Sequence, residues 1–234
     1  MTKQTTILIT GASRGIGYDT VLELAKNPTN HVIALSRNEE KLGTLLAATT
    51  FNNIQTFPFD LANFEASILS AQLEDIPKID VLINNAGLLV NRPFEELSLK
   101  DWRTIFDINL FGVVELIQNL LPKLIAAQSA HIVNIGSMGG VQGSSKFPGL
   151  SAYSASKAAL ANLTECLAEE FQEKNIKVNC LSLGAIQTEM LAEAFPGYEA
   201  PVTSASMATY LAWFALNGHQ FHNGKIIPVA ISTP

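Results

Sequence analysis

Thr5–Thr10 (TTILIT) is a short apolar run, and Gly11-Ala-Ser-Arg-Gly15-Ile-Gly17 follows it with no spacer. In Tyr18–Lys26, Val21, Leu22 and Ala25 then recur at helical spacing, up to Asn27-Pro28. The stretch reads as a buried strand, a turn with three glycines and a helix. Residues without Cβ let the chain turn sharply and approach a ligand closely. The first N–H groups of the helix lack partners inside it and attract an anion such as a diphosphate. The spacing is G-x-x-x-G-x-G, not the common dinucleotide pattern G-x-G-x-x-G. A tight strand–helix turn with no ligand is the plainer alternative.

The same alternation continues to the end of the chain. His31–Ser36, Ile54–Phe59, Asp80–Ile83, His131–Ile135, Lys177–Leu183 and Lys225–Ile231 read as further strands, and Pro228 suggests an edge position or a bulge for the last. Helical patterns separate them. The longest spans Lys100–Gln128, where Pro122 is expected to end or kink it. Thr188–Ser204, with Pro196-Gly197 and Pro201, reads as irregular. Seven strands alternating with helices predict an α/β fold: one parallel sheet, helices on both faces, right-handed crossovers. With 234 residues, 47% of them hydrophobic and 15% charged, the chain suits a single domain with a sizeable core.

Composition also narrows the partners. The formal net charge is −6 with no run of Lys or Arg, which argues against nucleic acid and anionic membrane surfaces. No uninterrupted apolar run approaches about 18 residues, so no membrane span is expected. The N-terminus lacks a basic region followed by a long apolar core, so no secretion signal is read. Cys166 and Cys180 are far from any C-x-x-C spacing and read as small buried hydrophobes in a reduced, cytoplasmic protein, not as a disulfide or metal pair.

Several residues fall at carboxyl ends of the expected strands, the edge where open α/β sheets bind ligands. Ser36-Arg37-Asn38 ends the second strand, where a carboxylate would select NAD. Arg37 there, with Arg14 in the glycine loop, suits a 2′-phosphate instead and points to NADP(H). Asp60 ends the third strand, either to cap the helix of Phe64–Leu73 or to accept from an adenine amino group. Asn84-Asn-Ala-Gly87 ends the fourth, and Ser137 the fifth. Asn109 lies inside the longest helical pattern among apolar residues, so it faces water or has a specific partner. Tyr153 and Lys157 fall at i and i+4 at the start of a helix running to about Lys174 and share one face. A cation beside a phenol favours the phenolate, which makes a tyrosine of ordinary pKa about 10 a usable general acid or base near neutrality. Taken alone, such a pair is usually accidental.

Together, Thr10-Gly-Ala-Ser-Arg-Gly-Ile-Gly17, Asn84-Asn-Ala-Gly87, Asn109, Ser137 and Tyr153-Ser-Ala-Ser-Lys157 resemble the short-chain dehydrogenase/reductase family, in the family's order. The resemblance implies a Rossmann-type doubly wound sheet and hydride transfer between NADP(H) and a carbonyl or alcohol: a ketone, an aldehyde or a 3-oxoacyl group. By the family pattern Tyr153 exchanges the proton, and Lys157 lowers its pKa and bonds the nicotinamide ribose. Ser137 bonds the substrate oxygen, and Asn109 holds a water that links Lys157 to solvent. Gly11, Ser13, Arg14, Ile16 and Gly17 surround the diphosphate and adenosine side. Asp60 and Leu61 meet the adenine, and Asn85, Ala86 and Gly87 its ribose. Gly184, Ile186 and Thr188 lie at the carboxamide, with a short substrate loop over about 188–204. No metal is implied, and a homodimer or homotetramer is, often through the fourth and fifth helices.

The chain departs from the family in three places. Leu183-Gly184 replaces the usual Pro-Gly after the sixth strand, so a looser turn is expected. Ser137 and Tyr153 are sixteen residues apart, a few more than usual, with the surplus in Gln142–Leu150. It could extend the substrate wall or displace Ser137; Ser144 and Ser145 are poorer candidates for its role. The end after the last strand lacks the family's acidic-glycine pattern, and with Glu189–Ser204 short, an open substrate site is expected. Two other functions compete: a non-catalytic dinucleotide sensor or scaffold on the same fold, and a nicotinamide-assisted epimerase or dehydratase.

Overall fold

A computed structural model describes residues 4–231. In chain order the strands are β1 (Thr5–Thr10), β2 (Asn30–Ser36), β3 (Ile54–Pro58), β4 (Val81–Asn84), β5 (Ala130–Ser137), β6 (Ile176–Leu183), β7 (Ile186–Gln187), β8 (Val202–Thr203) and β9 (Ile226–Val229). The α-helices are α1 (Gly15–Ala25), α2 (Glu39–Ala47), α3 (Ala66–Gln72), α4 (Leu99–Phe106), α5 (Gly112–Ala126), α6 (Ser151–Glu170), α7 (Glu189–Ala194) and α8 (Ser204–Asn217). Seven strands form one parallel sheet in the order β3-β2-β1-β4-β5-β6-β9, and β7 and β8 pair separately.

The strand alternation builds a core on each face. Ile7 and Ile9 of β1 join Val21 and Leu24 of α1, Leu42 and Leu45 of α2, and Leu211 and Phe214 of α8. Leu8 points the other way, toward Leu69 of α3, Leu116 and Leu120 of α5, and Leu160 of α6. Each such side chain contributes about 1.5–3 kcal/mol on burial, which holds the register against a one-residue slip. The expected doubly wound α/β sandwich is therefore the fold. β9 lies at the sheet edge with Pro228 opposite Ser182, where a missing N–H disrupts no ladder on the solvent side.

Some expectations need correction. Pro122 neither ends nor breaks its helix, which continues to Ala126. Leu120 and Leu124 on either side are 1% and 0% exposed, and their burial outweighs the roughly 3 kcal/mol that an interior proline costs. The pattern is interrupted instead by a π-helical turn at Asp107–Phe111, around Asn109. By length and mean hydropathy (1.3) Leu99–Ala126 qualifies as a membrane-crossing helix, although α5 packs one face onto the sheet. Asp60 caps no helix. Its carboxylate accepts from Ala62 N (3.0 Å) and Asn63 Nδ2 (2.9 Å), well before α3 begins. Thr188–Ser204 is not irregular: Thr188 caps α7, and β7 and β8 bracket it. Cys180 is buried as expected, whereas Cys166 is exposed, and both thiols are free.

Candidate active site

β1 lies between β2 and β4, so the chain leaves its carboxyl end in one direction and returns on the other side. The crevice this creates is where open sheets place ligands. Here it is a cavity of about 520 Å³ running along the carboxyl edge from Arg37 and Asp60 to Tyr153. Every site residue expected from the sequence lines it, with the exception of Asn109.

The glycine loop is shaped by its own packing. Gly11 has φ +69, and a Cβ on it would lie 2.8 Å from Ala86 Cα. A Cβ on Gly17 would lie 2.3 Å from the Gly11 carbonyl oxygen. Asn85 fastens this turn by donating from Nδ2 to the carbonyls of Thr10 (2.9 Å) and Gly11 (3.2 Å). The Thr10 hydroxyl accepts from Asn85 N (3.1 Å) and Ala86 N (3.0 Å). The Asn85 amide is thus committed to the backbone, a task the ribose expectation did not include. The opening for an anion is the start of α1. Arg14 at its N-cap makes no side-chain cap, no acidic residue sits in the first turn, and Gly15, Ile16 and Gly17 face the cavity. These N–H groups suit the diphosphate of a dinucleotide. Arg37 is exposed at the rim beyond β2. Arg14 is engaged by Glu193 of α7, Nη1 to Oε1 at 2.6 Å.

At the other end, α6 presents Tyr153 and Lys157 to the end of β5. Lys157 is 3% exposed, and its Nζ donates to the Ile135 carbonyl at 2.7 Å. Burial pushes its pKa down to about 8, against a smaller opposing pull from Cys180. Tyr153 is held above its ordinary pKa by burial, with a hydrogen bond to Ser137 acting the other way. The ammonium lies 5.9 Å from the ring centroid, and removal from water dominates both groups. The Ser137 hydroxyl also accepts from Gly139 N (3.2 Å), which fixes it at the strand end.

Asn109 lies just behind this wall. It is fully buried, accepts from Leu88 N (2.7 Å) and donates to Leu88 O (3.0 Å) and Ser156 Oγ (2.9 Å). Ser156 in turn donates to the Tyr153 carbonyl at 2.7 Å. The π turn thereby ties the loop after β4 to α6, a use typical of such interruptions. A Cβ on Gly87 would lie 3.5 Å from both Asn109 Oδ1 and Lys157 Nζ.

The three departures resolve differently. Leu183 stays inside β6, and Gly184 N donates to Val229 O at 2.9 Å, so the turn is anchored without proline. Ile186 and Thr188 reach the cavity as expected. The longer loop leaves Ser137 beside Tyr153; its Ser144 bonds the Met138 and Val141 carbonyls, and Phe147 and Leu150 become cavity wall. α7 lines the cavity through Glu189, Met190, Leu191 and Glu193. Arg14–Glu193 holds α7 on one side, and Asn91 Nδ2 donating to Ala194 O (2.8 Å) holds it on the other. Thr10 and Ser156 stand inside the quoted motifs without an assigned role, and sequence reasoning overlooked Glu193, Phe195 and Tyr198.

Comparison with known proteins agrees with this geometry. A family model for short chain dehydrogenase matches residues 5–199. A fatty acyl-CoA reductase of Acinetobacter baylyi is 34% identical over 215 residues, covering 89% of this chain and 72% of that protein. A short chain dehydrogenase of Shigella flexneri, solved with NADP, superposes with TM-score 0.85 at 30% identity, covering 97% of each chain. A mutant 4-hydroxyisoleucine dehydrogenase bound to NADH and succinate gives TM-score 0.85 at 28% identity, again over 97% of each chain. The chain belongs to the short-chain dehydrogenase/reductase family of oxidoreductases.

Proposed function

We propose that this protein is an NADP(H)-dependent reductase of ketones, aldehydes or 3-oxoacyl groups. The observation that carries the reading is one cavity that brings Ser137 and Tyr153 together with buried Lys157 and, along the same carboxyl edge, a glycine loop. When bound, the nicotinamide supplies a hydride to the carbonyl carbon. Ser137 and Tyr153 hold the carbonyl oxygen between two hydroxyls, which fixes the carbon for attack. As negative charge develops on that oxygen, the Tyr153 phenol gives up its proton and the alcohol leaves. Lys157 stabilises the resulting phenolate, and Asn109 keeps the loop around Gly87 closed over Lys157. Arg37 favours the 2′-phosphate of NADP(H), because the end of β2 carries no carboxylate to bond a ribose 2′-hydroxyl. Phe111 and Ile125, 51% and 44% exposed on the long helix, are the positions we assign to a homodimer or homotetramer contact.

Tyr153→Phe tests the assignment. NADPH consumption over a panel of carbonyl compounds is expected to fall by about 10³-fold or more with NADPH binding unchanged. Normal turnover by that variant would remove Tyr153 as the acid, and a wild type that binds NADPH yet reduces nothing would favour the sensor reading.

A further inference from the structure

The half of the cavity beyond Tyr153 differs in chemistry from the half at the glycine loop. Phe147 and Leu150 enter from the lengthened loop, Met138 from the end of β5, and Phe195 and Tyr198 from the segment after α7. Phe147 and Tyr198 are each 50% exposed, so the wall presents bare aromatic surface to whatever enters. Charge is confined to the other half. Of the basic residues lining the cavity, Arg14 and Arg37 lie at the glycine loop and the end of β2. The third, Lys157, is buried against the Ile135 carbonyl. Arg92 and Lys146 do not line the cavity: Arg92 Nη1 pairs with Asp101 at 2.8 Å, and Lys146 Nζ turns to Val141 O at 2.6 Å and Ser144 Oγ at 2.7 Å. The acids of α7 also belong to the cofactor side. Glu193 pairs with Arg14, and Glu189, one turn earlier, has Oε2 3.5 Å from the Cβ position of Gly15.

A carboxylate or phosphate entering the substrate half would therefore lose hydration and meet, among the described residues that line the cavity there, no cation except Lys157, whose Nζ is turned to the Ile135 carbonyl. An uncharged substrate would lose only apolar contact with water, which favours entry. Building on the reductase assignment, we infer that the substrate is an uncharged, apolar carbonyl compound, selected by Phe147, Phe195 and Tyr198. Anionic 2-oxo and 3-oxo acids and phosphate-bearing thioesters are disfavoured by the same wall.

The test uses matched pairs that share one carbonyl: ethyl benzoylformate against benzoylformate, and ethyl 3-oxobutanoate against 3-oxobutanoate, with 3-oxobutanoyl-CoA as the phosphate-bearing arm. Binding to the enzyme–NADP⁺ complex is read by calorimetry and kcat/KM by NADPH absorbance. Each ester is expected to exceed its acid and the CoA thioester by at least about 30-fold. Phe147→Ala and Tyr198→Ala should each weaken the esters on the order of tenfold while NADPH affinity stays constant. An acid or CoA thioester that binds or reacts as well as the ester overturns the inference, as does an ester that does not bind. Selective ester binding without turnover upholds it and leaves only the reductase assignment refuted.

Discussion

His131 offers a quantitative check on the structure. It opens β5 at the end of the sheet remote from the active site, and it is 1% exposed. Its Nδ1 lies 2.9 Å from the Ala215 carbonyl, so that nitrogen donates. Its Nε2 lies 3.0 Å from Asn179 Nδ2. The Asn179 amide cannot turn over, because its Oδ1 accepts from Lys225 N (3.1 Å) and its Nδ2 donates to His222 O (3.0 Å). Nε2 must therefore accept, and only the neutral Nδ1–H tautomer fits. Burial pushes the His131 pKa down to about 4 from 6.5. A proton binds the unfolded chain first, so this stability is complete above pH 6.5 and is lost as pH falls toward 4. At 1.36 kcal/mol per pH unit the full loss is about 3 kcal/mol, of which about 2 kcal/mol is gone at pH 5. With a urea m-value of about 2 kcal/mol/M, that moves the unfolding midpoint by roughly 1 M between pH 7.5 and 5. Other groups contribute to acid unfolding, so the informative quantity is the difference from His131→Gln at equal protein concentration. That variant starts less stable and should show a midpoint shift smaller by about 1 M. Equal acid shifts in the two proteins would refute the tautomer assignment and the burial effect together.

Other predictions concern the site. Asn109→Ala leaves the Leu88 N–H without its 2.7 Å acceptor and releases the loop around Gly87. It should lower stability by about 2–4 kcal/mol in urea unfolding and reduce turnover further than that loss explains. Arg37→Ala should weaken NADPH binding by about tenfold and leave NADH nearly unchanged; equal losses in fluorescence titration would exclude the 2′-phosphate role. Glu193→Gln frees Arg14 from its 2.6 Å partner. It should tighten NADPH about two- to fivefold at low salt, an advantage that fades as salt screens the exposed pair; no change would show that Arg14 does not reach the phosphate.

Much of the fold was legible because strand and helix write different periods into a sequence. Ile7, Leu8 and Ile9 are one uninterrupted apolar run, and a strand buried on both faces of a parallel sheet requires that. Pro122 does not end its helix because a local rule met a tertiary effect: Leu120 and Leu124 hold the helix from outside it. The π turn at Asn109 left only an asparagine out of place, a sign of a specific partner with no hint of which. Leu88 and Ser156, the partners, lie 21 and 47 residues away in the chain. The segment 188–204 was opaque for a similar reason. α7 is six residues long, below what propensity can fix, and it is held by Arg14 and Asn91, neither adjacent in sequence.

The Tyr153–Lys157 pair shows where spacing stops being informative. An i, i+4 interval establishes that Tyr153 and Lys157 share a helix face, but not the depth at which that face is buried. Depth decides the chemistry. A lysine in water beside the phenol would stay charged and draw the tyrosine down. At 3% exposure Lys157 is itself lowered to about 8, and burial raises the phenol. Tyr153 therefore waits as a neutral, protonated donor beside Ser137. That is the state a reduction needs at its start, whereas alcohol oxidation must first ionise the phenol. The two directions should consequently separate with pH. Reduction persists at neutral pH and below, and oxidation rises on the alkaline side, where deprotonation of Tyr153 is no longer opposed by bulk proton activity.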